Sequence, residues 1–344
     1  MLDKFLQASV VQDWQWDLIT QIRCGLEDAY GTQQGEVGCV QAIVQAIHNM
    51  QSVEVKLNKG MFLKLEVEAA FLHGSKSQVK FQVGKTEYQR ELADLFVLGT
   101  YVHDGQPVFQ RACLIQAKRQ GRSTGRDAAR YEVDLGQLAM LTSFPEFTGV
   151  SGVFKGFNKV HFRNCSGMLG AYCLLSPPGE FIIVSARVLT LVLGGRKSLS
   201  AKELVPAILS ENAGSRNSLH YLEGCGWFDP DRCPDCHVLS MHGFPCHCRR
   251  HRQLSRATIL GGLTEASVES VLTCIGLAEF VQCWTGLRLG EVCRVGANLG
   301  ARSERILQTA LQAVVRRVGG ETENLIKRWV CSRTRVAMTT FESM

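Results

Sequence analysis

The stretch CLIQAKRQ, residues 113–120, carries an amide and a lysine where an apolar strand is expected. Gln116 and Lys118 stand two residues apart, so on a strand they share one face. Asp94 lies upstream, and between them HDGQ, residues 103–106, offers Asp104-Gly105 as a hairpin turn. Counted back across that hairpin, Asp94 falls opposite residue 115 or 116. A three-residue loop pairs it with Gln116 directly. A two-residue loop leaves it one step off, and a bulge would restore the pairing. Either way an acid, an amide and a lysine converge on a mainly apolar sheet. Burying an aspartate and a lysine is costly unless they pair or hold a metal ion.

A second group of residues suits a different metal. CGWFDPDRCPDCHVLSMHGFPCHCRRH, residues 225–251, gathers Cys225, Cys233, Cys236, Cys246 and Cys248 with His237, His242, His247 and His251. Two thiolates two residues apart, Cys233 and Cys236, can bind one Zn²⁺ from a tight turn. Cys246 and Cys248 are the natural other half, with Cys225 or His251 able to replace one of them. No acidic, oxygen-rich site competes within this stretch, so a soft or borderline ion is expected in a structural role. The same residues also read as a loop of free thiols.

The elements that must position these groups follow from periodicity. Residues 14–30 read as a helix. Over 36–48 the apolar residues Val37, Val40, Ile43, Val44 and Ile47 keep helical spacing with one buried face. Alternation over 53–71 and 78–83 predicts strands. Two long strands are expected at 88–102 and 107–118, joined by the DG turn. A helix is predicted over 127–143, strands over 150–163 and 170–193, and a short helix after Ser198 or Ser200 as cap. Two helical segments, near 264–289 and 302–318, close the chain. This order suggests a mixed sheet flanked by helices. The expected division is an α/β domain over 1–210, a Cys/His-rich segment over 211–260 and a helical C-terminal region over 261–344.

Composition bounds the alternatives. The chain has 344 residues, 45% hydrophobic and 20% charged, enough for a sizeable core. Its net charge of +6 fits a nucleic-acid partner without requiring one. The N-terminus lacks a signal-peptide pattern. The most apolar stretch, 170–195, is interrupted by Pro177, Pro178, Glu180 and Arg187, which argues against a membrane span. The 14 cysteines are therefore expected in a reducing cytoplasm, as core residues, thiols or metal ligands.

ELADLFVLGTYVHDGQPVFQRACLIQAK, residues 91–118, resembles the PD-(D/E)XK nuclease superfamily, whose fold is restriction-endonuclease-like. Asp94 matches the family's aspartate. Gln116-Ala117-Lys118 matches its acid-x-Lys, with glutamine in the acid's place. Glu36 sits where family members often add a helix glutamate; Glu27, Glu66, Glu68 and Glu91 are rivals for that role. The resemblance covers about residues 30–145. It implies Mg²⁺-dependent hydrolysis of DNA phosphodiesters by an endonuclease, often in bacterial defence or on mobile elements. Asp94, Gln116 and Glu36 would hold Mg²⁺, and Lys118 would position the water and stabilise the phosphate in the transition state. The glutamine leaves the site one negative charge short, so a non-cleaving scaffold that binds nucleic acid or a partner is the alternative.

Each residue also has a structural explanation. Lys118 can be the first exposed residue at a strand end beside Arg119 and Arg122. Asp94 can pair with Arg90 or Arg111, and Glu36 can be a helix-start acid favoured by the macrodipole. KRQGRSTGR, 118–126, is a basic loop whose Arg119, Arg122 and Arg126 suit phosphate contacts. Residues 143–164 interleave aromatics with Lys155, Lys159 and Arg163, a pattern that serves either stacking or a core. The helix over 302–318 sets Ile306, Leu307, Leu311, Val314 and Val315 against Arg305, Arg316 and Arg317. It can pack on the core or dock a second copy or an operon partner.

Overall fold

The structure, a computed structural model, describes residues 2–50, 52–57, 61–73, 77–121, 130–155, 158–160, 169–176, 180–200, 202–204, 206–207 and 273–295. The expected zinc ligands Cys233, Cys236, Cys246 and Cys248, their alternates Cys225 and His251, the loop residues Arg122 and Arg126, and the helix expected over 302–318 lie outside them.

The chain opens with helices α1 (Leu2–Leu6), α2 (Ser9–Gly31) and α3 (Gly35–Asn49). In α2 the residues Val11, Trp14, Leu18, Ile22 and Leu26 recur at helical spacing and are buried. In α3 Val40, Ile43, Val44 and Ile47 of the predicted stripe are buried too, and Val37 is half-buried. Strands β1 (Ser52–Lys56) and β2 (Phe62–Phe71) follow, then β3 (Gln78–Val83), β4 (Thr86–Glu91), β5 (Leu95–His103) and β6 (Gln106–Arg119). Next come β7 (Arg130–Glu132), α4 (Leu135–Ser143), β8 (Phe147–Gly149), β9 (Gly170–Ser176), β10 (Glu180–Ser185), α5 (Ala186–Leu193) and β11 (Ser198–Ser200). The segment 273–295 supplies β12 (Thr273–Ile275), α6 (Leu277–Thr285) and β13 (Glu291–Val295).

Eight of these strands form one mixed sheet in the order β1-β2-β5-β6-β9-β10-β12, with β13 also pairing β6. Its pairs are antiparallel except β6 with β9, which run parallel after the crossover through α4. One face packs under α2, α3 and α6 through Leu65, Val97, Ile115, Cys173 and Ile183. The other packs against α4, α5 and the small sheet β4-β3-β8 through Phe96, Leu98, Leu114, Leu174 and Val184. A sheet buried on both faces explains the near-continuous apolar runs in β5 and β9. Each Leu or Ile so buried contributes roughly 1.5–3 kcal/mol. Among the described residues no helix is long and apolar enough to cross a membrane.

Several expectations need correction. Residues 88–102 do not form one strand. Leu92 N donates to Ser77 O in the small sheet while Asp94 N donates to Ile115 O in the large one, so the chain changes sheets between β4 and β5. Of the helix expected over 127–143, the described part is helical only from Leu135, where the Asp134 carboxylate caps it by accepting from Gln137 N at 2.9 Å. The strand expected over 150–163 is, in its described part, a 3-10 turn at Gly152–Phe154 and a single bridge from Val160 to Phe147. That turn carries Phe154 inward, edge-on to Phe147. The strand expected over 170–193 ends at Ser185, whose hydroxyl accepts from Val188 N and caps α5. A short apolar run rich in Val and Leu suits helix and strand alike, and the cap decides. Of the helix expected over 264–289, the described part is a strand, β12, followed by α6.

Of the short helix expected after Ser198 or Ser200, residues 202–204 and 206–207 are described and helical, and Ser200 at the end of β11 forms a reciprocal cap with Glu203: Glu203 N donates to Ser200 Oγ, and Ser200 N donates to the Glu203 carboxylate.

Candidate active site

The site begins with a turn and a bulge. Asp104 and Gly105 both hold positive φ, +48° and +72°, and close a two-residue hairpin with His103 opposite Gln106. That register alone would set Asp94 against Ile115. Between Tyr101↔Phe109 and Val102↔Pro107 the ladder skips Val108 on β6, and beyond this bulge Leu95 pairs with Ile115. Asp94 therefore faces Gln116.

Asp94 is completely buried and Gln116 nearly so. The Asp94 Oδ2 accepts from Ala117 N at 2.8 Å and from Gln116 Nε2. In effect the carboxylate takes the place of a backbone carbonyl at the start of β5. The Gln116 carbonyl accepts from Gln137 Nε2, which also donates to Glu91 O at 3.3 Å. Gln137 reaches the site because α4 lies close on β9: a Cβ at Gly170 would come within 2.1 Å of Leu141 O.

The other Asp94 oxygen, Oδ1, lies 2.7 Å from His73 Nδ1, which is also 3.2 Å from Glu91 Oε2. His73 follows β2, and Leu72 N donating to Asp94 O at 2.7 Å brings it there. Glu91 ends β4, three residues before Asp94. The hydrogen bond that the His73 imidazole donates to Asp94 raises it above its ordinary value against the opposing pull of burial, and the charges of Asp94, Glu91 and Glu36 add to the rise. Among the described residues these three form the group whose ligand atoms lie within 4.8 Å of one another.

Lys118 and Glu36 meet at the end of β6. Glu36, in the first turn of α3, places Oε1 3.0 Å from Lys118 Nζ, and its Oε2 accepts from Arg119 N at 3.1 Å. The four residues Asp94, Gln116, Lys118 and Glu36 thus come from one hairpin and the helix that covers it. Glu36 is not part of the His73–Glu91–Asp94 group, because its carboxylate closes on Lys118 and Arg119 instead. The Arg119 guanidinium lies over the Tyr30 ring at 5.1 Å. Tyr172 stands opposite Gln116 on β9, and its buried hydroxyl has no partner among the described residues. Burial raises that phenol, with Asp134, Asp94 and Glu36 adding to the effect.

Neither arginine suggested as a surface partner takes Asp94. Arg90 pairs with Asp134 at 3.0 Å, and buried Arg111 donates to the carbonyls of Arg288 and Gly290. Phe144, Phe147 and Phe154 are core residues and present no stacking face. His73, Gln137 and Tyr172 carried no signal in the sequence, since each reaches the site through pairing or packing between distant segments. Glu91 was visible only as a nearby acid.

The donors suit a hard or borderline divalent ion: two carboxylates, an imidazole and an amide. Asp94 is fixed and enclosed, whereas His73, Glu91, Lys118 and Glu36 are half-open at the rim. An ion or phosphate would enter from that rim. No family model, curated protein or solved structure matches this chain.

Proposed function

We propose that the chain is a Mg²⁺-dependent endonuclease with a restriction-endonuclease-like core that hydrolyses DNA phosphodiesters. The single observation that carries this is the placement, two residues apart at the end of β6, of the hydrogen-bonded pair Asp94–Gln116 and the ion pair Lys118–Glu36. The order supports it as well: α3, antiparallel β2-β5-β6, α4, then β9 parallel to β6.

A divalent ion held there would supply charge relief and an acidified water. Asp94 would anchor it, since its carboxylate is already fixed by Ala117 N. With an ion bound, a half-turn of the Gln116 amide would bring its carbonyl to the Asp94 side. Lys118 orients the water and stabilises the phosphate as charge builds. Glu36 positions Lys118. Arg119, Arg122 and Arg126 follow the site in sequence and give phosphate contacts to the DNA backbone. Zn²⁺ on Cys233, Cys236, Cys246 and Cys248 would staple the segment that follows the α/β region. A cytoplasmic setting, in defence or on a mobile element, and assembly through the C-terminal helices belong to the same proposal.

A second reading has its own observation. The chain Gln137–Gln116–Asp94–Ala117 and the pair Lys118–Glu36 satisfy one another's polar groups, as a non-cleaving scaffold would have them. Incubating plasmid and single-stranded DNA with the protein in Mg²⁺, Mn²⁺ or EDTA separates the two. Cutting that EDTA abolishes supports the nuclease. DNA binding with no cutting in any metal supports the scaffold.

A further inference from the structure

We propose that His73, Glu91 and Asp94 form a divalent-cation site with an imidazole ligand, and that the site prefers Mn²⁺ over Mg²⁺ and Ca²⁺. The inference names the ion and the ligands of the active site proposed above, and so rests on that reading for its location. Its primary test reads metal binding, and DNA cutting serves only to tell the two proposals apart.

Two of the ligand spacings fit the edge of an octahedral ion, and all three ligand atoms lie within 4.8 Å of one another. Ligands at 2.0–2.1 Å from such an ion lie about 3.0 Å apart along each octahedral edge. The His73 Nδ1 is 2.7 Å from Asp94 Oδ1 and 3.2 Å from Glu91 Oε2. The ion would take the place of the proton that Nδ1 shares with these carboxylates. That proton moves to Nε2 or to solvent. Ca²⁺ needs longer bonds and more oxygen ligands than this triangle gives.

The three ligands come from three separate strand ends, each pinned by backbone hydrogen bonds. Leu72 N to Asp94 O ties β2 to the start of β5, and Leu92 N to Ser77 O ties the end of β4 to β3. Asp94 is enclosed, while His73 and Glu91 are half-open and leave an entry path. The ligand types set the preference. An all-oxygen triangle would favour Mg²⁺, whereas a ring nitrogen moves selectivity towards transition ions, and two carboxylates keep it at the hard end of that series. The buried Tyr172 hydroxyl, on the residue opposite Gln116, has no partner among the described residues.

Mn²⁺ titration of the full-length protein, followed by the loss of the free-ion electron paramagnetic resonance signal, tests this directly. Mn²⁺ is the right probe because cysteine thiolates favour softer ions. Wild type should bind Mn²⁺ at this site, and both His73→Ala and Glu91→Gln should weaken that binding by at least about tenfold. Mg²⁺ should displace Mn²⁺ only in large excess. Should a variant fold poorly by circular dichroism, pulsed resonance of Mn²⁺ on wild type still decides, since an imidazole ligand gives a nitrogen coupling. Unchanged Mn²⁺ binding in folded His73→Ala, displacement by equimolar Mg²⁺, or no nitrogen coupling overturns the proposal. Nitrogen-coupled Mn²⁺ without DNA cutting in any metal keeps this site and removes the nuclease. Cutting untouched by His73→Ala, with no nitrogen coupling, does the reverse.

Discussion

Lys118 Nζ stands 3.0 Å from Glu36 Oε1, joining the end of β6 to the first turn of α3. Both side chains are half-open, so the pair adds less than about 1 kcal/mol to stability. Its value lies in where it holds the ammonium. Glu36→Gln is expected to leave the melting temperature nearly unchanged and to lower single-turnover DNA cleavage about a hundredfold, because a misplaced lysine no longer meets the phosphate. Equal cleavage by the two proteins would remove Glu36 from the site.

Asp94 separates folding from chemistry. Asp94→Ala strips Ala117 N and the Gln116 amide of a buried acceptor and should destabilise the fold by about 2 kcal/mol or more. Asp94→Asn keeps an acceptor for Ala117 N in the same shape and should melt much closer to wild type. Both variants should lose metal-dependent cutting. Chemical denaturation of the two, read beside their activity, checks this.

Gln116→Glu restores the charge that the glutamine leaves out. It also sets a third carboxylate near Asp94 and Glu91, and like charges held this close repel. The expected result is a lower melting temperature without metal and a larger upward shift on adding Mg²⁺ or Mn²⁺. A metal-induced shift no larger than wild type's would show that residue 116 does not face the ion.

Glu68 predicts a pH dependence away from the site. Burial, with the neighbouring Glu66 charge, raises its carboxyl from an ordinary 4.5 to about 7. A raised folded value means the native state holds this proton more tightly than the unfolded chain does. Its stabilising contribution is full below pH 4.5 and is lost as pH rises to about 7. The melting temperatures of wild type and Glu68→Gln should therefore diverge between those limits, with the variant more stable at pH 8. Parallel curves across that range would contradict it.

Much of the hairpin was legible because its signals are local. The Asp-Gly turn, the alternation of β6 and the apolar stripe of α3 each lie within one element. The bulge at Val108 was needed to choose between two registers, and nothing in VFQ marks which residue is skipped. The break between β4 and β5 was hidden, since YQRELADLFVLGTYV keeps an apolar pattern through the change of sheet. His73 and Gln137 depend on that break and on the packing of α4, which are non-local. The helix Ala186–Leu193 was misread because its Val and Leu suit both states until Ser185 caps it.

The most direct test of the nuclease is single-turnover cleavage of plasmid DNA in Mg²⁺ by wild type and by Lys118→Ala, with DNA binding measured on the same preparations. The expected result is metal-dependent cutting by wild type, lost in Lys118→Ala while the variant still folds and binds DNA. Equal cutting by both proteins, or none by a folded and DNA-bound wild type, would contradict an active site at the end of β6.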